Sequence, residues 1–106
     1  MIVKICGLTN LEDALAAAGC GATALGFNFF PLSPRYIPPE QAARIIERLP
    51  EMVWKVGVFV DAPPEEINRV RRLAGLDIVQ LHGNEPPEMM PLVGRAWKAL
   101  RVDAGF

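Results

Sequence analysis

A chain of 106 residues, 51% hydrophobic and 22% charged, has the size and composition of one folded domain. It falls well short of the roughly 200 to 250 residues that a closed eight-stranded α/β barrel needs. Eleven Lys and Arg against twelve Asp and Glu leave a formal net charge of −1, so a charge-driven role on nucleic acid has no support.

The N-terminal run Ile2 to Cys6 reads as a strand, with Ile2, Lys4 and Cys6 on one face of the pleat and Val3 and Ile5 on the other. It lacks the basic, apolar and small-residue succession of a signal peptide, which predicts a cytoplasmic protein. Thr9 stands three residues before Glu12, and this capping-box spacing predicts a helix from Asn10 to about Gly19. Thr23 to Phe30 follows as a second strand, with Leu25, Phe27 and Phe29 at alternate positions. The uncharged stretch from Ala14 to Pro34 has the length of a membrane span, but Gly19, Gly21, Thr23, Gly26, Asn28 and Pro31 divide it into a helix end and a strand, so no membrane contact is expected.

Pro31 to Tyr36 is a loop, and Pro38 presets a helix whose inward residues are Ala42, Ile45, Ile46 and Leu49. Trp54 to Val60 reads as a strand buried on both faces. Pro63 and Pro64 introduce a third helix with Ile67, Val70, Leu73 and Ala74 inward and Gly75 at its end. Leu76 to Leu81 is a fourth strand, Glu88 to Val93 a shorter helix, and Ala96 to Val102 a fifth strand. Helix-length crossovers between the strands force parallel pairing, so the fold class is α/β. The units of about 25 residues share no repeated pattern, which argues against a solenoid.

Loops after the C-terminal ends of parallel strands lie on one side, where ligands bind. Four residues there can carry chemistry. Cys6 precedes Gly7, with Lys4 about 6 to 7 Å behind it on the same face. An ammonium there favours the thiolate form a base or nucleophile needs; the competing role is a cysteine packed as a small hydrophobe. Arg35 projects from Ser33-Pro34-Arg35-Tyr36, where a guanidinium suits a carboxylate or phosphate, or is simply solvated. His82, the single histidine, shares its face with Gln80; it either lines the site or serves structure. Asp61 stands at the third strand's end. Cys6 and Cys20 are too few and wrongly spaced for zinc, and in a reducing compartment are free thiols. Gly19-Cys20-Gly21-Ala22-Thr23-Ala24 has dinucleotide-fingerprint spacing but sits between a helix and a strand, the reverse of what the fingerprint requires. Glu65 and Glu66 are explained by a helix start.

Lys4-Ile5-Cys6-Gly7-Leu8-Thr9, Gly26-Phe27-Asn28-Phe29 with Ser33-Pro34-Arg35, Val56-Gly57-Val58-Phe59-Val60 and Val79-Gln80-Leu81-His82-Gly83 together resemble the N-terminal half of the phosphoribosylanthranilate isomerase family, over the whole sequence. The resemblance implies a TIM-barrel family fold, with residues 1–106 as the first four βα units plus a fifth strand of one (β/α)₈ domain. It implies an Amadori rearrangement of a phosphosugar without metal or organic cofactor. It implies Cys6 as general base and Arg35 on the anthranilate carboxylate, with His82 and Gln80 lining the substrate. The family's general acid, an aspartate after the sixth strand, and its phosphate-binding loops lie beyond this segment, and Asp103 does not match that acid. The chain alone is therefore expected to be inactive. Its inner sheet surface, including Ile2 and Ile78, is expected to face water between two open edges, inviting the missing C-terminal half or a second copy. A catalytically silent half-barrel serving assembly or binding is the alternative. A related isomerase acting on an aminoimidazole would be expected to carry a carboxylate in place of Cys6.

Overall fold

Helix-length crossovers return the chain each time to the same end of a sheet, and the computed structural model, which describes residues 3–98, shows the result. Strands β1 (Lys4–Ile5), β2 (Ala24–Asn28), β3 (Trp54–Phe59), β4 (Ile78–Leu81) and β5 (Ala96–Lys98) form one parallel sheet in sequential order. Helices α1 (Leu11–Gly19), α2 (Pro39–Ile46) and α3 (Pro64–Ala74) make the first three crossovers, and a 3₁₀ segment (Pro87–Val93) makes the fourth. No helix of the described residues is long and apolar enough to cross a membrane.

The pleat sorts the side chains. Leu25, Phe27, Phe29, Phe59, Val79 and Leu81 pack outward against Ala14, Ala17, Ala42, Ile45, Ile67 and Val70 of the helices in the main core. Parallel register puts Gly26 beside Val56 and Val56 beside Ile78 on the other face, with Val58, Gln80 and Trp97 in the next row. Sequence reasoning expected Ile78 to face water, yet it is fully buried, in a second cluster with Ala24 and Val56 under Trp97. Curvature accounts for this. In a flat sheet β1 and β4 would stand about 14 Å apart, beyond the reach of a lysine and a glutamine, but the Lys4 ammonium donates to Gln80 Oε1. The sheet is curled enough for its concave face to be filled by its own side chains.

Several boundaries move inward. The helix expected behind a Thr9–Glu12 box is capped instead by Asn10, in extended conformation, whose Oδ1 accepts from the Asp13 N–H at 2.8 Å while its Nδ2 donates to Asp13 Oδ2 at 2.9 Å. The return bond here comes from the Asn10 side chain, not from a backbone N–H as in a capping box, and asparagine caps at least as well as threonine. Pro38 caps α2, with Pro39 as its first residue, and Leu49 stays buried beyond its end. β2 ends at Asn28 because Asn28 Oδ1 accepts from the Phe30 N–H at 2.9 Å and turns the chain out of the sheet. In α3, Ile67, Val70 and Ala74 are buried but Leu73 is 44% exposed; helical spacing puts it about 60° beyond the buried stripe. Trp54, expected inside, is half-exposed and stacks on Trp97. Leu76 and Asp77 precede β4 rather than belong to it. Ile2, Asp103 and the expected fifth strand beyond Lys98 lie outside the described residues.

Candidate active site

A left-handed turn follows β1, with Gly7 at φ +85°. It is pinned to β2 because the N–H groups of Gly7 and Leu8 both donate to the Gly26 carbonyl, at 3.1 and 3.2 Å. Cys6, just before the turn, is exposed. Its Sγ lies over Gly26: a Cβ there would meet Sγ at 2.9 Å and Lys4 Cε at 3.2 Å. The bare α-carbon is what leaves room there for both the Cys6 thiol and the end of the Lys4 side chain. Gln80 Oε1 accepts from that ammonium, so strands β1, β2 and β4 meet at one point.

Arg35 reaches the same turn from the excursion between β2 and α2. Tyr36 returns to Asn28 in a parallel bridge and the Ile37 N–H donates to the Asn28 carbonyl at 3.0 Å, closing the loop. Within it, Ser33 Oγ accepts from the Arg35 N–H at 3.1 Å. The Arg35 side chain then lies across Gly7, its Cδ occupying the space a Cβ there would fill and its Nε 3.2 Å from that point. Arg35 is exposed, and among the described residues the one ion pair is Arg69–Glu66, on the surface of α3. That arginine's hydrogen bond holds the Glu66 carboxyl below its ordinary range.

Four of the sequence-predicted features thus converge: Lys4 donates to Gln80, Lys4 and Cys6 both lie against Gly26, and Arg35 lies across the next residue of the turn. His82 stands at the rim two residues past Gln80, exposed, with its N–H donating to the Phe59 carbonyl at 2.9 Å. Sequence reasoning missed Gly26, whose importance is a contact between strands. It also missed Glu85, a buried carboxylate binding two loop amides. Neither carries a local signal. Among the described residues no three His, Cys, Asp or Glu side chains come together as a metal-ligand set. A cavity of about 440 Å³ lined by Glu51, Trp54, Asp77 and Arg95 opens at the strand starts, the opposite end from Cys6.

The model of the family N-(5′-phosphoribosyl)anthranilate (PRA) isomerase matches residues 3–106. The chain belongs to that family. Among curated PRA isomerases, that of Geobacter sp. (strain M21) is 59% identical over 101 residues, covering 94% of this chain and 50% of the relative. Among solved structures, phosphoribosyl anthranilate isomerase from Thermus thermophilus superposes with a TM-score of 0.94 at 50% identity, covering 97% of this chain and 53% of that one. A PRA isomerase solved in complex with reduced 1-(o-carboxyphenylamino)-1-deoxyribulose 5-phosphate also gives 0.94 at 50% identity, over 97% of this chain and 55% of that one. The solved PRA isomerases are α/β barrels of the TIM type, and this chain spans about half the length of the relatives it matches.

Proposed function

We propose that residues 1–106 are the N-terminal part of a single (β/α)₈ barrel domain, its first four βα units and fifth strand. The complete barrel is a cytoplasmic N-(5′-phosphoribosyl)anthranilate isomerase of tryptophan biosynthesis. The observation that carries this reading is the turn after β1, where the Cys6 thiol lies over Gly26 beside Lys4 and the next residue, Gly7, lies under Arg35. A candidate base and a carboxylate-binding guanidinium are thereby one residue apart.

In the proposed reaction the ribofuranose ring of the substrate opens to a Schiff base between C1′ and the anthranilate nitrogen. Cys6 Sγ takes the C2′ proton, and the electron pair of that C–H bond forms the C1′–C2′ double bond of an enolamine as the iminium is neutralised. A proton added at C1′ and one lost from the C2′ hydroxyl give the ketone, 1-(2-carboxyphenylamino)-1-deoxyribulose 5-phosphate. C1′ is reduced as C2′ is oxidised, so the balance needs no external electron carrier. Arg35 pairs with the anthranilate carboxylate through its planar fork. Gln80 holds the Lys4 charge beside the base, and His82 lines the substrate from the rim. The acid that opens the ring and the donors for the phosphate come from the other half of the barrel, so residues 1–106 alone are inactive. Val3 and Ile5, exposed along the β1 edge, support a covering partner, either that half or a second copy.

Cys6→Ala in the full-length protein tests the base: turnover should fall at least about 100-fold, within the range general-base catalysis contributes, with substrate affinity within a few fold. Retention of a tenth of kcat removes Cys6 from that role. Residues 1–106 alone should show no anthranilate-fluorescence turnover until the C-terminal half is supplied in trans. Failure of that complementation in a well-folded complex would favour a silent assembly module.

A further inference from the structure

Glu85 has no part in the chemistry above, yet its carboxylate is buried and ties two rim loops together. Its Oε2 accepts from the Asp61 N–H at 2.8 Å, at the end of β3, and its Oε1 from the Gly83 N–H at 2.9 Å, just past β4. Asp61 answers in the other direction, its Oδ1 accepting from the Asn84 N–H at 2.7 Å. Asp61 is the one non-glycine residue with left-handed backbone among the described residues, at φ +52°. Gly83 has no room for a side chain, because a Cβ there would fall 2.6 Å from Asp61 Oδ1. The two carboxylates form a reciprocal clasp between the β3–α3 loop and the segment following β4.

The residue inside this clasp is His82. Its own N–H is held by the Phe59 carbonyl at 2.9 Å, and the N–H of the next residue, Gly83, by Glu85. Both peptide planes that flank the His82 α-carbon are therefore fixed, and with them the direction of its Cα–Cβ bond. We infer that Glu85 is a positioning residue, whose buried carboxylate clasps Asp61 and Gly83 and so aims the His82 imidazole at the substrate. This rests on the reading of His82 as a site residue of the isomerase. A carboxylate is required because two N–H donors converge on two oxygens; a glutamine offers one oxygen and turns an NH₂ toward the second donor.

The test is a double-mutant cycle in the full-length protein. Glu85→Gln should lower kcat/KM roughly tenfold to a hundredfold, the scale of a misplaced group, mainly through KM. In a His82→Ala background the same change should cost less than about twofold. Two readouts do not depend on turnover: amide exchange at Asp61 or Gly83 should speed up in Glu85→Gln, and the His82 ring resonance, identified by its loss in His82→Ala, should shift or broaden. Should Glu85→Gln not fold, Gly83→Ala breaks the clasp from the Asp61 side and must give the same pattern. Equal losses in both backgrounds would reduce Glu85 to a structural role, and unchanged exchange with an unmoved His82 resonance would remove the clasp. A wild-type protein that does not turn over phosphoribosylanthranilate would overturn the isomerase reading, with exchange and resonance still deciding the clasp.

Discussion

One methyl group at Gly26 tests the geometry of the proposed base. Gly26 is paired to Val56 within β2, its carbonyl anchors the turn after Cys6, and its φ lies outside the left-handed region. Alanine therefore introduces no backbone strain there and removes about 0.4–1 kcal/mol of unfolded-state freedom. The opposing effect is contact. The new Cβ would lie 2.9 Å from Cys6 Sγ, 3.2 Å from Cys6 Cα and 3.2 Å from Lys4 Cε, where carbon atoms sit comfortably at about 3.5–4.0 Å. The thiol must retreat by roughly 0.6 Å or more, and the Cys6 backbone by about 0.3 Å. Overpacking of this kind costs about 1–3 kcal/mol, so the net loss of stability is about 0–2.6 kcal/mol. The effect on turnover is larger, because misplacement near 1 Å costs about 10²-fold. Gly26→Ala in the full-length protein should lower kcat roughly tenfold to a hundredfold while KM moves only a few fold. Steady-state anthranilate fluorescence and a thermal melt measure the two effects. Gly19→Ala is the control: a Cβ at the end of α1 meets nothing within 4 Å, so turnover should be unchanged and stability up by about 0.5–1 kcal/mol. A folded Gly26→Ala variant with wild-type kcat would refute the placement of Cys6 as base.

Arg35→Lys should raise KM more than it lowers kcat, since charge survives but the fork that meets a carboxylate does not; if a substrate analogue without the anthranilate carboxylate loses as much affinity as the natural substrate, Arg35 does not contact that group. Lys55 is buried at the start of β3 and donates to the carbonyls of Pro50 at 2.9 Å and Glu51 at 3.4 Å. Lys55→Met removes a charged donor from both carbonyls, leaving Pro50 with the Val53 N–H at 3.2 Å, and should cost about 1–3 kcal/mol in urea unfolding, with kcat unchanged because it lies at the opposite end of the sheet from Cys6.

Local chemistry carried much of this protein into its sequence. Alternation put Leu25, Phe27 and Phe29 on the outer face, where they are buried, and the paired prolines at 63 and 64 together with Gly75 marked both ends of α3. Strand ends named Cys6, Gln80 and His82 as rim residues because a pleat of period two fixes which residues share a face. What escaped depends on competition or on distance. Asn10 and Thr9 both offer caps at the right spacing, and only the backbone geometry at the helix entry selects Asn10. Ile78 looked exposed because a sequence specifies which residues alternate but not how far a sheet curls; the curvature buries it under Trp97. The same curvature joins Lys4 to Gln80 across 76 residues of chain, and the packing of two loops brings Glu85 to Asp61 across 24. No local period encodes such meetings, so tertiary structure alone decides which polar groups at the rim face one another.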